Sequence, residues 1–333
     1  MRTPLLCCAL LVAGIATGCD FTPTLDIPLP EPERAVAIQS ILIADSTVSV
    51  FVGPTQDPYG RSVFSPSRFH LLADATVELM EDGRLVERLT VRPGNCTPYR
   101  DVPEISEACG AFVSQARVRV GGQYTIRVRA DSYPEAYATV TVPGRARLAD
   151  AVQREGETVS FTLRDPEGAG ENYAIQFRPR RYRYEQNRSL QNPDGTYRGD
   201  TTVVIEGVGI PSFQTRDPLL VAAAGVVPDD YIRSAVFDDK GFDGMDHTFV
   251  VSAFAGWMAP ELEADPGALW VIRLDSTLYS TYKATSAVLG GDNPFAEPAN
   301  LPSNVIGGYG LVGAATVAEF ELPEPSPAQR AGA

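Results

Sequence analysis

Five cysteines and two histidines are the whole supply of thiol and imidazole chemistry in this 333-residue chain. Cys19 is the most telling of them. It closes the string Ile15-Ala16-Thr17-Gly18-Cys19, small residues that follow Arg2 and the uncharged apolar run 5–16. A bilayer-crossing helix needs about 20 apolar residues, so this shorter run reads as the core of a secretory signal. A cysteine in that place is where bacterial envelope processing attaches diacylglycerol. Residues 1–18 are therefore expected to be a lipoprotein signal peptide and Cys19 the lipid attachment site, with two or more acyl chains giving a stable anchor. Cys7 and Cys8 depart with the signal. Cys96 and Cys109 remain, and an even remainder in an exported chain reads as a disulfide. It would close a loop of about 14 residues and contribute roughly 3 kcal/mol in the loop-entropy account. Two cysteines are too few for a metal site, and neither His70 nor His247 has ligand spacing near it.

Catalytic signatures are missing from the sequence. There is no G-x-S-x-G elbow, no H-E-x-x-H and no P-loop. Carboxylates are too plentiful for a glycosidase pair to be singled out. The expectation is a non-enzymatic protein with no catalytic residue, no resident metal and no cofactor. One acidic segment invites a closer look, because Asp238, Asp239, Asp243 and Asp246 crowd around two glycines in FDDKGFDGMDH. Oxygen ligands at that density can hold calcium. EF-hand spacing fails, however, since counting from Asp239 puts Val250 where the bidentate glutamate belongs. An acidic turn between strands is the preferred reading.

Arginine supplies nearly all the positive charge, Lys240 and Lys283 being the only lysines. Arg117, Arg119, Arg127 and Arg129 share one face of a hairpin turning at Gly121-Gly122, with Val118, Val120, Tyr124, Ile126 and Val128 on the other. A second cluster, Arg178, Arg180, Arg181, Arg183 and Arg188, interleaves with Tyr182 and Tyr184. Arg and Tyr anchor protein interfaces, and arginine forks carboxylates and phosphates. The alternative is a solvated strand face. Arg180, Tyr182 and Arg183 are the residues expected to touch a partner. Nucleic acid is excluded by the balance of 28 basic against 42 acidic residues, a formal charge of −14.

The elements that carry these residues are strands. Twenty-nine glycines and 27 prolines suit a turn-rich β protein. Residues 19–33, with prolines at 23, 28, 30 and 32, read as an extended tether, and 323–333 as a fraying tail. Residues 34–144 contain alternating runs at 35–43, 47–52, 75–80, 85–91, 117–120, 123–130 and 137–142. Asp82-Gly83 and Gly121-Gly122 mark turns between them, so an immunoglobulin-like or transthyretin-like β-sandwich is expected. Residues 150–322 read as a second β-rich domain. Its strands fall near 158–163, 172–183, 201–208, 248–254, 268–274 and 315–322, and its one helix at 277–289, capped by Asp275 or Ser276. The fold class is mainly β.

The last third carries the most specific pattern. Val236-Phe237-Asp238-Asp239, Phe242-Asp243-Gly244, Arg273-Leu274-Asp275, Leu278-Tyr279, Asn293-Pro294-Phe295-Ala296-Glu297-Pro298 and Ser303-Asn304-Val305-Ile306-Gly307-Gly308-Tyr309-Gly310 follow one another in order. Together with Ala75-Thr76-Val77 and Gly121-Gly122-Gln123-Tyr124, this resembles the envelope lipoprotein family catalogued as domain of unknown function 4249. The resemblance covers about 19–322. Members are commonly encoded beside TonB-dependent outer-membrane receptors. The resemblance therefore implies a lipid-anchored outer-membrane protein that serves such a receptor in nutrient uptake, on either face of the membrane. It carries over no catalytic residue. The glycine and proline motifs read as backbone-shaping. A structural or adhesive envelope lipoprotein without a transport role is the alternative.

Overall fold

Alternation of apolar and polar side chains writes most of the strands. The computed structural model describes residues 34–55, 71–93, 110–168, 170–178, 180–191, 197–209, 211–254, 267–289 and 302–323. The signal peptide, Cys19, the tether, Cys96, Cys109, Asn293 to Pro298 and all but the first residue of the tail lie outside them. The first half supplies β1 (Val36–Ile43), β2 (Thr47–Pro54), β3 (Thr76–Glu81), β4 (Arg84–Arg88), β5 (Thr90–Pro93), β6 (Gly110–Arg117), β7 (Gln123–Arg129) and β8 (Ala136–Thr141). The second supplies β9 (Arg147–Leu148), β10 (Gln153–Glu155), β11 (Thr158–Arg164), β12 (Asn172–Phe177), β13 (Arg180–Gln191), β14 (Tyr197–Gly209) and β15 (Ser212–Gln214). It continues with helix α1 (Pro218–Ala224), β16 (Ala235–Asp238), β17 (Asp246–Phe254), β18 (Ala268–Leu274), helix α2 (Ser276–Leu289) and β19 (Gly308–Glu321).

One eight-stranded sheet, β16-β12-β18-β19-β1-β2-β6-β5, forms the wall shared by two sandwiches. Its β1-β2-β6 end faces the four-stranded sheet β4-β3-β7-β8. Val36, Ile38, Leu42, Val48, Val50 and Val52 meet Val77, Leu79, Ile126, Val128 and Ala138 in the first core. Its other end faces the five-stranded sheet built on β10-β11-β17-β15. Tyr173, Ile175, Phe177, Phe237, Leu269 and Val271 pack there with Val159, Phe161, Leu163, Phe213, Phe249 and Val251. The sheet between the two cores is continuous, the first core drawing Val305, Val312 and Ala314 from the last strand region, and Arg34 to Ala333 is one compact unit.

That continuity comes from β19, which runs parallel to β1 with Val36 opposite Gly308 and Ile43 opposite Ala315. The glycine motif before it is backbone chemistry. A Cβ on Gly307 would lie 2.2 Å from the Glu135 carbonyl oxygen, one on Gly308 2.4 Å from that of Val36, and one on Gly310 2.0 Å from that of Ile38. Asn304 stands in for a missing strand neighbour, its amide donating to the Val312 carbonyl at 2.7 Å and its oxygen accepting from the Val312 N–H at 3.0 Å. In the G-G-x-Y motif, Gly121 takes φ +75° at the turn, and a Cβ on Gly122 would meet the Tyr124 ring at 2.7 Å.

Two strand expectations are corrected by the structure. The run 85–91 breaks at Leu89, which is buried where the chain passes from one sheet to the other. The strand expected at 117–120 lies earlier, at Gly110–Arg117, with Val118 to Gly121 forming the approach to the turn. The helix expected at 277–289 is present, with the Asp275 carboxylate accepting from the Leu278 N–H at 2.9 Å. A second, short helix, α1, joins it. Asp217 caps α1, and Gly225 ends it in the left-handed region at φ 67°.

Glu78 is 2% exposed, on the solvent side of the four-stranded sheet, because arginines close over it. Arg127 reaches it at 2.5 and 2.9 Å, Arg88 at 3.2 Å and Arg129 at 3.5 Å. The Arg127 hydrogen bonds hold its carboxyl below the ordinary glutamate value of 4.5, against the opposing effect of burial. A depressed carboxylate stabilises the fold above its unfolded pKa and loses that contribution as pH falls through the folded one. Melting between about pH 5 and 3 should therefore show the wild type losing stability faster than Glu78→Gln. At pH 7 the variant should be less stable by about 1–2 kcal/mol, a modest loss because its arginine partners face solvent. Parallel acid limbs in the two proteins would refute this role.

Candidate functional site

The acidic loop is positioned by two strand pairings. Register Arg164↔Asp246 ends the β11–β17 ladder, and Asn172↔Asp238 starts that of β12–β16. The turn 165–171 and the loop 239–245 are thereby brought against each other. Asp239 and Asp243 converge there with Asp165, carboxylate oxygens of the three lying within 4.8 Å of one another. Asp238 and Asp246 do not join them. Asp238 accepts from Lys240 at 2.6 Å and from the Tyr279 hydroxyl at 3.2 Å, while Asp246 lies 3.5 Å from Arg164.

Each converging carboxylate is engaged by the chain itself. Asp239 accepts from the N–H groups of Gly170 and Glu171 at 3.1 and 2.9 Å. Asp165 accepts from the Tyr173 hydroxyl at 2.6 Å and from the Gly244 N–H at 2.9 Å. Asp243 accepts from the Gly168 N–H at 3.2 Å. Burial, and then the proximity of Asp243 and Asp238, raise the Asp239 carboxyl despite the Gly170 bond. Burial works the same way on Asp238, but the Lys240 ammonium and the Tyr279 hydroxyl outweigh it and hold that carboxyl low. Burial and the Asp165 carboxylate push the Tyr173 phenol up, so it stays a donor. The three carboxylates have the hardness and spacing to accept a divalent cation. Through these bonds they clamp the turn 165–168 to the loop 239–245.

Arg273 extends this network. It is 9% exposed, pairs with Glu171 and lies over the Tyr173 ring with its guanidinium carbon 5.9 Å from the centroid. Desolvation lowers its affinity for its proton, partly offset by Asp165. Arg273 stands in the Arg273-Leu274-Asp275 motif, but neither it nor Asp165 is marked by the sequence as part of this cluster. Nothing near Asp165 in sequence announces the loop it meets.

The first arginine cluster is absorbed by the fold. Arg127 and Arg129 cover Glu78, Arg119 bonds Glu81 at 2.6 Å, and Arg117 donates to the Asp45 carbonyl at 2.9 Å. The second lies on different architecture. β13 and β14 pair only with each other among the described residues. Arg180 stands opposite Gly209, Tyr182 opposite Gly207 and Arg183 opposite Glu206. At about 3.3 Å per residue the twelve residues of β13 make a ribbon roughly 40 Å long. Arg178, which precedes it, belongs to the body, its N–H donating to the Ala268 carbonyl and its guanidinium to Glu319.

Among the described residues no helix is long and apolar enough to cross a membrane. A family model described as "Domain of unknown function (DUF4249)" matches residues 22–321. No curated protein matches the chain.

Proposed function

The chain belongs to the family described as a domain of unknown function, DUF4249, and on that premise we propose that it is a lipid-anchored cell-envelope protein. It is a non-catalytic accessory of a TonB-dependent outer-membrane receptor in nutrient uptake. Cys19 carries the lipid, residues 19–33 hold the folded body off the membrane, and the β13–β14 ribbon reaches the partner. The observation that carries this reading is the ribbon. A two-stranded hairpin is marginal by itself in water, yet here one about 40 Å long, rich in Arg and Tyr, joins no further strand among the described residues. Such residues make good interface anchors.

Replacing Arg180, Tyr182 and Arg183 together by alanine tests this assignment. The melting temperature should stay within about a degree of wild type, since both cores lie elsewhere. Capture of the receptor should fall by about tenfold or more, with less dependence on salt than the wild type shows. Undiminished capture would remove the ribbon from the interface.

A further inference from the structure

The outer face of the five-stranded sheet bears an open groove of about 540 Å³, floored by Thr158, Gln214, Val250 and Ser252 and rimmed by Arg216 and Asp229. That volume falls within the usual range of small-molecule sites. We propose that this groove binds a neutral saccharide. The site is separate from the ribbon, and the inference does not depend on the receptor reading.

The floor is built by register. Thr158 and Gln214 both stand opposite Ser252, so two hydroxyls and an amide line up across three strands. Beside them Val250 is 51% exposed, a small apolar surface among hydrogen-bonding groups. That mixture matches a sugar ring, which offers hydroxyls at its rim and C–H groups on its faces. The wall is fixed to the floor, with the Thr215 hydroxyl donating to the Val250 carbonyl at 2.8 Å and accepting from the Asp217 N–H at 3.0 Å.

On the rim Arg216 forks Asp229, Nε lying 2.9 and 3.1 Å from the two carboxylate oxygens and Nη2 2.8 Å from one of them. Asp229 is held in place at φ 68°, in the left-handed region, with its carbonyl accepting from Gln214. Both side chains remain largely solvent-facing, 81% and 51% exposed. A fixed acid–base pair presents acceptor and donor side by side, the complement of two adjacent hydroxyls. Because the pair is internally neutral and Asp217 adds negative charge, an anionic ligand gains nothing there. Strand addition at β15 is blocked, since Phe213 is already bridged to Ile232 on its free side.

Saturation-transfer NMR and calorimetry on the detergent-solubilised mature protein test this, with maltose, cellobiose and lactose as neutral probes and glucuronate and glucose 6-phosphate as anionic ones. At least one neutral disaccharide should bind saturably. Asp229→Asn and Ser252→Ala should each weaken it about tenfold, with melting temperatures near wild type. Ser252→Ala on the solvent face retains the fold even where the rim variant does not. Absence of saturable binding to every neutral probe, preference for the anionic probes, or affinity unchanged in Ser252→Ala would each overturn the proposal.

Discussion

Exported behind a non-lipoprotein signal, the Cys19→Ser variant is expected in the soluble fraction, whereas the wild type stays with membranes through a high-salt wash. The difference should be close to all-or-none. Each buried methylene of an acyl chain contributes about 0.8 kcal/mol, so two or three chains hold the protein against dilution. Net charge of −14 gives no compensating attraction to anionic lipid. Asp20 follows the proposed lipid attachment site, and an aspartate in that place is a signal for inner-membrane retention in some bacteria. Density separation of wild-type membranes therefore belongs in the same experiment, and the proposed receptor role predicts the outer-membrane fraction. Retention of Cys19→Ser on washed membranes would contradict the lipid assignment.

Gly310→Ala carries the largest expected cost to folding. The added Cβ would sit 2.0 Å from the Ile38 carbonyl oxygen, 2.9 Å from its carbon and 3.1 Å from its nitrogen, all backbone of the neighbouring strand. Its φ of +116° is also unfavourable for an L side chain. Relief requires β19 to leave β1, and that pairing joins the ends of the compact unit and closes both cores. A loss of roughly 3–5 kcal/mol is expected, lowering the melting temperature by about 10 °C or abolishing soluble expression. Gly83→Ala is the control. Gly83 also has positive φ, 76°, but nothing lies within 4 Å of its Cβ position, so its cost should be about 1 kcal/mol. Equal losses at the two positions would mean that the close approach is not what requires glycine.

Local features of the fold were legible. The alternation at 35–43 and 47–52 became β1 and β2 with Val36, Ile38, Leu42, Val48, Val50 and Val52 inward, and Asp82-Gly83 became a turn with both residues at positive φ. The G-G-x-Y and N-x-x-G-G-x-G motifs were correctly read as shaping backbone, although which carbonyls they approach was not visible. Long-range pairing was the hidden part. β1 and β19 come from opposite ends of the chain, and no periodicity announces their meeting, so the sequence reads as two domains where one sheet runs through both. Helix α1 does carry its signals, Asp217 at the cap, Pro218 at the first turn and Gly225 at the end, but seven residues are too few for periodicity to separate helix from strand. What reads as one strand at 172–183 is β12 in the body, ending at Phe177, and β13 in the ribbon, starting at Arg180. In the acidic loop, two of the four aspartates converge, and the third partner, Asp165, reaches them only through the pairing of β11 with β17.

The central claim is that this chain, proposed to be lipid-anchored, works on a receptor barrel. Affinity purification of the tagged, lipidated chain from detergent-solubilised outer membranes, with quantitative mass spectrometry, tests it most directly. A TonB-dependent β-barrel receptor should co-purify in amounts approaching one per lipoprotein, and far less with the Arg180, Tyr182, Arg183 triple-alanine variant. Recovery of no receptor above the level seen with an unrelated tagged lipoprotein would contradict the account.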